Sequence, residues 1–178
     1  MHSVTAEGRR GPAGWSRPLS GFTLIELAVV LAVAGILAAI GYPVFTSIIN
    51  GSRLNSSADE LTTSLQLARS EAVRRNARVS VCGSADGAAC GGAWNHWLTV
   101  LESDATVLRV HEVRPPVQVS SAAARITYGA NGLAVTAVNT AVNICIPTNL
   151  PSENQRVVRL TSAARVSSTR AVGAGACP

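Results

Sequence analysis

From Phe22 to Ile49 the chain is one apolar run carrying a single charge, Glu26. The stretch Phe22–Ile40 alone covers about 28 Å at ~1.5 Å per residue, enough to cross a bilayer core, and predicts a membrane-spanning helix. Ala28, Ala32, Ala34, Gly35, Ala38 and Ala39 make it rich in small side chains, which let helices approach closely. Pro43 removes a backbone donor and predicts a kink, and Gly51-Ser52 predicts a soft joint. Beyond the joint, Leu54, Ala58, Leu61, Leu65, Ala68 and Ala72 recur at alternating steps of four and three. That period places them on one stripe of a helix over about 53–76, with Arg69, Glu71, Arg74 and Arg75 off the stripe.

After Asn76 the pattern shortens to strand-like runs at Arg78–Cys82, Trp97–Leu101, Thr106–Val113, Arg125–Tyr128, Leu133–Val138, Ala141–Ile146 and Arg156–Thr161. Separators include Asp86-Gly87, Gly91-Gly92, Pro115-Pro116 and Asn131-Gly132, the last a hairpin-turn signal. A long helix covered by an antiparallel sheet, an α+β fold, follows from this order. No internal repeat or second globular domain is visible.

Charge adds an orientation. The net charge is +5, and every basic residue other than histidine is arginine. Residues 1–21 are polar and broken by glycines and prolines, and carry Arg9, Arg10 and Arg17 against Glu7. Basic residues before an apolar span keep that end in the cytoplasm, so the C-terminal part is expected to be translocated. Losing those three arginines and that one acid would take the charge from +5 to +3. An ordinary secretory signal is cut after its apolar region. Here the small residue Gly21 precedes it, and cleavage there would leave the helix on the mature chain with a new amine on Phe22. A carboxylate in a membrane helix costs roughly 2.5 kcal/mol or more near the bilayer centre, so Glu26 needs a partner. The Phe22 amine is the nearest in kind.

Gly21-Phe22-Thr23-Leu24-Ile25-Glu26, after a basic leader and before an apolar helix, resembles the class III signal of type IV pilins and pseudopilins. The resemblance implies that a prepilin peptidase cuts after Gly21 and methylates Phe22. It also implies that the subunit waits in the bacterial inner membrane as a single-pass protein. Glu26 would then pair with the Phe22 amine of a neighbouring subunit as other pilins assemble around it. The expected organisation is a leader at 1–21, a transmembrane and assembly helix at 22–50, and an exported domain at 51–178.

The cysteines are Cys82, Cys90, Cys145 and Cys177. An even count in an exported domain points to disulfides, and three pairings are open. Cys82–Cys90 would close a Gly/Ala-rich loop, and Cys145–Cys177 would staple the tail; these are the favoured pairs. The spacings do not suit a metal site, and no cofactor is expected. The segment Val79-Ser80-Val81-Cys82-Gly83-Ser84-Ala85-Asp86-Gly87, Cys90, Gly92-Ala93-Trp94 and Trp97-Leu98-Thr99-Val100 resembles the GspH/FimT family. Arg125-Ile126-Thr127-Tyr128 before Asn131-Gly132, and Ile144-Cys145, extend the likeness. It implies a minor pilin of a type IV pilus, or pseudopilin H of type II secretion, that acts near a filament tip and helps start assembly.

His96 and His111 have no nucleophile or carboxylate arranged around them in sequence, and no phosphate loop or zinc signature occurs, so no enzyme is expected. Trp94 and Trp97 read as packing residues at a loop–sheet boundary. Between Pro147 and Pro178 one acid, Glu153, stands against Arg156, Arg159, Arg165 and Arg170. Arginines on a strand pair can track a phosphate backbone. FimT-type minor pilins of DNA-uptake pili use a Gly-Arg-x-Arg element, matched here only in part by Ala164-Arg165-Val166-Ser167. DNA binding is therefore the alternative expectation, against a charged edge strand that merely resists pairing.

Overall fold

A computed structural model describes residues 21–136, 139–161 and 165–178. The expected leader, apart from Gly21, lies outside these residues, as do Val138 and Ala164. The polypeptide divides between Ala39 and Ile40 into two units. In the first, residues 21–39 are exposed throughout, and helix begins at Leu24.

The helical assignment, α1, runs over Leu24–Arg75. It passes through Pro43 and through Gly51-Ser52, so the expected joint at Gly51 is corrected to continuous helix. Packing on either side of Gly51 explains this. Asn50 is buried and its amide donates to the Leu150 carbonyl at 2.9 Å, while Leu54 is buried in the core. These contacts outweigh the weak helix propensity of one glycine, about 1 kcal/mol. Thr46 Oγ1 donates to the Tyr42 carbonyl just after Pro43. The helix ends on Asn76, whose φ of 50° is left-handed. Ala77 N–H bonds to the Ala72 carbonyl and Asn76 N–H to the Val73 carbonyl, which closes the last turn.

Among the described residues eight strands follow: β1 (Val79–Ser84), β2 (His96–Leu101), β3 (Val107–Glu112), β4 (Gln118–Ser121), β5 (Arg125–Tyr128), β6 (Ala141–Cys145), β7 (Gln155–Leu160) and β8 (Val166–Ala171). They form two antiparallel sheets rather than one, ordered β3-β2-β1-β5 and β4-β6-β7-β8. The stripe Leu54, Ala58, Leu61, Leu65, Ala68 and Ala72 is the buried face of α1. It shares one core with Val79, Val81, Trp97, Ile126 and Tyr128 of the first sheet and Val142, Ile144, Val158 and Leu160 of the second.

Two strands escape the sequence pattern. β4 is Gln-Val-Ser-Ser and β8 is Val-Ser-Ser-Thr-Arg-Ala, and both are edge strands with little apolar alternation. The expected strand at Leu133–Val138 is corrected to a single bridge, Tyr128↔Ala134. There the Thr127 N–H donates to Thr136 Oγ1, so a side chain takes the place of a ladder carbonyl. Asn131-Gly132 does form the turn, with Gly132 at φ 72°.

Candidate functional site

The N-terminal segment is built around a helix start. Thr23 Oγ1 accepts the Glu26 N–H at 3.3 Å, so Thr23 caps α1 and Glu26 sits three residues in, where an acid favours the positive end of a helix. An acid at position 26 is thus favoured locally by the start of the helix, independently of any neighbour. Phe22 is 77 % exposed, and the apolar side chains from Leu24 to Ile49 stand similarly uncovered. By length and composition this helix can cross a membrane. Among the described residues a Cβ built on Gly21 meets nothing within 4 Å, so their packing does not demand a glycine there.

The cysteines are joined as Cys82–Cys90 and Cys145–Cys177. The first closes a loop over the outer face of the first sheet, where Cys82, Leu98 and Val100 form a small second core with Cys90 against it. That roof explains why β1 is buried on both faces. The second holds the C-terminal tail to β6. Asn154 completes the staple: its amide donates to the Ile146 and Ala176 carbonyls and its carbonyl accepts Gly173 N–H.

The four arginines do not make one surface. Arg156 is corrected from a solvent-facing residue to a core one, only 5 % exposed. Its guanidinium donates to Asn55 Oδ1 and to the Glu153 and Gln155 carbonyls. Arg170 lies directly across from Arg156 on β8 and reaches Glu153 at 3.5 Å. Arg159 is three residues from Arg156 and so faces the opposite side of the sheet. Arg165 is exposed in the segment before β8. No stripe that could follow a nucleic-acid strand results, and the DNA expectation gains no support.

Two polar clusters were not legible in sequence. In one, Arg109 Nη2 donates to Glu60 Oε1, and His111 Nδ1 lies 3.6 Å from the same oxygen. The His111 ring stacks on Trp97 with centroids 4.0 Å apart, and Trp97 Nε1 donates to Ser64 Oγ inside the helix stripe. Burial pushes the His111 imidazole below its ordinary value, more than Glu60 raises it. In the other, Ser80, Thr127 and Arg125 all donate to Glu102 Oε1. Burial raises the Glu102 carboxyl, but these bonds outweigh it and hold the group low. Both clusters draw residues from elements far apart in sequence, so no local spacing announces them. Among the described residues no group of histidine, cysteine and acids has the arrangement of a metal site.

A family model of prokaryotic N-terminal methylation motifs matches residues 19–42, and one described as type II transport protein GspH matches residues 57–164. No curated protein sequence gives a match. The crystal structure of Pseudomonas aeruginosa type IV minor pilin FimU is 29 % identical, with a TM-score of 0.52, over 65 % of this chain and 92 % of that one. A second crystal form of FimU gives 28 % identity and a TM-score of 0.54, over 66 % of this chain and 89 % of that one. The minor pseudopilin EpsH of the Vibrio cholerae type 2 secretion system shares the fold at 13 % identity and a TM-score of 0.51, over 66 % of this chain and 97 % of that one. With a family model covering more than half its length behind a methylation motif, the chain belongs to the GspH family of type IV pilin-like proteins.

Proposed function

We propose that this protein is a minor pilin that joins other pilin subunits at or near the tip of a type IV pilus and helps start its assembly. The observation that carries the reading is the methylation motif at the head of an uncovered apolar helix, with Glu26 as its one charge. A prepilin peptidase cuts after Gly21 and methylates Phe22, which leaves the helix in the inner membrane and the domain in the periplasm. On extraction into the filament, Glu26 accepts the charge of the Phe22 amine on a neighbouring subunit, which relieves the cost of its burial among apolar helices. The work is structural rather than catalytic. Assembly into a type II secretion pseudopilus is the second reading. The higher identity to the minor pilin than to the pseudopilin favours the pilus.

Gly21→Phe tests the processing step. Mass spectrometry of the membrane fraction should show the variant beginning at its original start, and the unchanged protein beginning at a methylated Phe22. Glu26→Ala should insert and be processed yet be lost from sheared filaments. Normal incorporation of Glu26→Ala overturns the docking role.

A further inference from the structure

The end of the folded domain nearest the apolar run carries a distinct surface. Ile48 and Ile49 are exposed at the close of that run. The next residue, Asn50, turns inward and holds the Leu150 carbonyl, which fixes the 147–151 loop at this level of the helix. Leu150 itself is 38 % exposed there. Less than two turns further on, Asn55 holds Arg156, and Arg170 stands beside it as the cross-strand partner. Also at this level, Ser52, Arg53, Ser56 and Arg114 line an open groove of about 740 Å³ beside β3.

Arg53, Arg114, Arg156 and Arg170 therefore surround the helix at residues 52–56. The nearby acids are Glu153, which reaches Arg170 only at 3.5 Å, Glu112 and Glu60 on the groove, and exposed Asp59 one turn along the helix from Asn55. Glu60 is already engaged by Arg109. With Glu60 engaged, four arginines stand against three acids, Glu112, Glu153 and Asp59, and Ser52 and Ser56 add hydroxyl donors. From Phe22 to Ile49 the apolar run covers about 42 Å at ~1.5 Å per residue, which matches a bilayer with its headgroups.

We infer that this end of the domain is a binding surface for anionic phospholipid headgroups, used while the subunit waits in the membrane. Arg53, Arg114 and Arg170 take the phosphates, with Ser52 and Ser56 donating beside them. Arg156 supplies fixed charge behind Arg170, and Leu150 enters the interface. Continuity with the apolar run selects the membrane over other anionic partners. Releasing these contacts becomes one step in extraction to the filament. The inference rests on the membrane-anchored reading given above.

The test uses the full-length protein in nanodiscs of phosphatidylcholine alone or with phosphatidylglycerol, followed by hydrogen–deuterium exchange. One basic residue near an anionic surface is worth about a fivefold change in population, so amides at 148–153 and 167–172 should exchange about fivefold slower with phosphatidylglycerol. The difference should vanish in the R53Q/R114Q/R170Q variant, whose sites are all exposed, and should shrink at 0.5 M salt. Equal exchange in both lipids overturns the inference, as does a difference that survives in the variant. Protection that depends on two copies per disc and not on lipid charge assigns the surface to a second subunit and also overturns it. Failure of the protein to enter discs at all is a different result: it removes the membrane-anchored reading, and this inference with it.

Discussion

Arg156 brings a charge into the core and finds neutral oxygens there: Asn55 Oδ1 and two backbone carbonyls. Burial, and then Arg170, lower its pKa, so the charged form is held under some stress. Removing one acceptor from a buried charged group costs about 1–3 kcal/mol, whereas replacing the charge by an apolar group of similar length can be nearly neutral. Asn55→Ala should therefore lower the midpoint of urea unfolding clearly, and should do so much less in an Arg156→Met background. Additive effects in that double-mutant cycle would contradict the pairing. His111 gives a pH dependence. Its folded pKa lies below the ordinary 6.5 because burial beside Trp97 penalises the cation, with Arg109 and Arg114 opposing it and Glu60 and Glu112 favouring it. Its stabilising contribution is complete above about pH 6.5 and is lost as pH falls toward the lower folded value, because the unfolded chain then binds the extra proton. The melting temperature of the detergent-solubilised protein should drop between pH 7.5 and 5.5, and His111→Gln should flatten that drop. Glu71, held near 2 by its bonds to Arg74 and Arg75, titrates well below this window.

At the scale of elements, the two disulfides differ in reach. Cys82–Cys90 closes a separation of 8 residues and Cys145–Cys177 one of 32. In the chain-entropy model the longer loop contributes about 1 kcal/mol more than the shorter one. Cys145→Ser with Cys177→Ser should thus destabilise more than Cys82→Ser with Cys90→Ser, as read by urea unfolding. The reverse order would show that the roof over Leu98 and Val100 matters more than loop closure. The helix α1 makes a second comparison. Leu61 is fully buried in the core that both sheets share, so Leu61→Ala should cost about 2–5 kcal/mol. Ala substitution at exposed Gln66 should change stability by no more than about 0.5 kcal/mol. The same stripe was readable from spacing alone, because a helix against a flat sheet face has one period. The edge strands β4 and β8 were not readable, because each packs a single apolar side chain, Val119 or Val166, against the core and so shows no alternation.

At the scale of the molecule, the described residues comprise an apolar segment whose side chains are exposed and a domain whose main core is shared by α1 and both sheets. Lipid or other helices can satisfy the first, which is why the methylation motif at residues 19–42 is legible without any tertiary contact. Sequence sufficed for that segment, for the helical stripe and for the two tryptophans as packing residues, since each depends on neighbours within a few turns or on composition. It misplaced the joint at Gly51 because the deciding contacts, Asn50 to Leu150 and Leu54 to the core, come from residues about a hundred positions away or from the whole sheet. It also set Arg156 among solvent-facing arginines, where only the pairing with Asn55 on α1 reveals a buried role. What the order of residues determined by itself was a membrane-length helix, the methylation motif at its head and the α+β class, because periodicity and local sequence are enough for those. What tertiary structure alone decided was the division into two sheets, the carboxylate clusters at Glu60 and Glu102, and which arginines remain free. Those depend on which distant backbones lie side by side, and no local pattern encodes that.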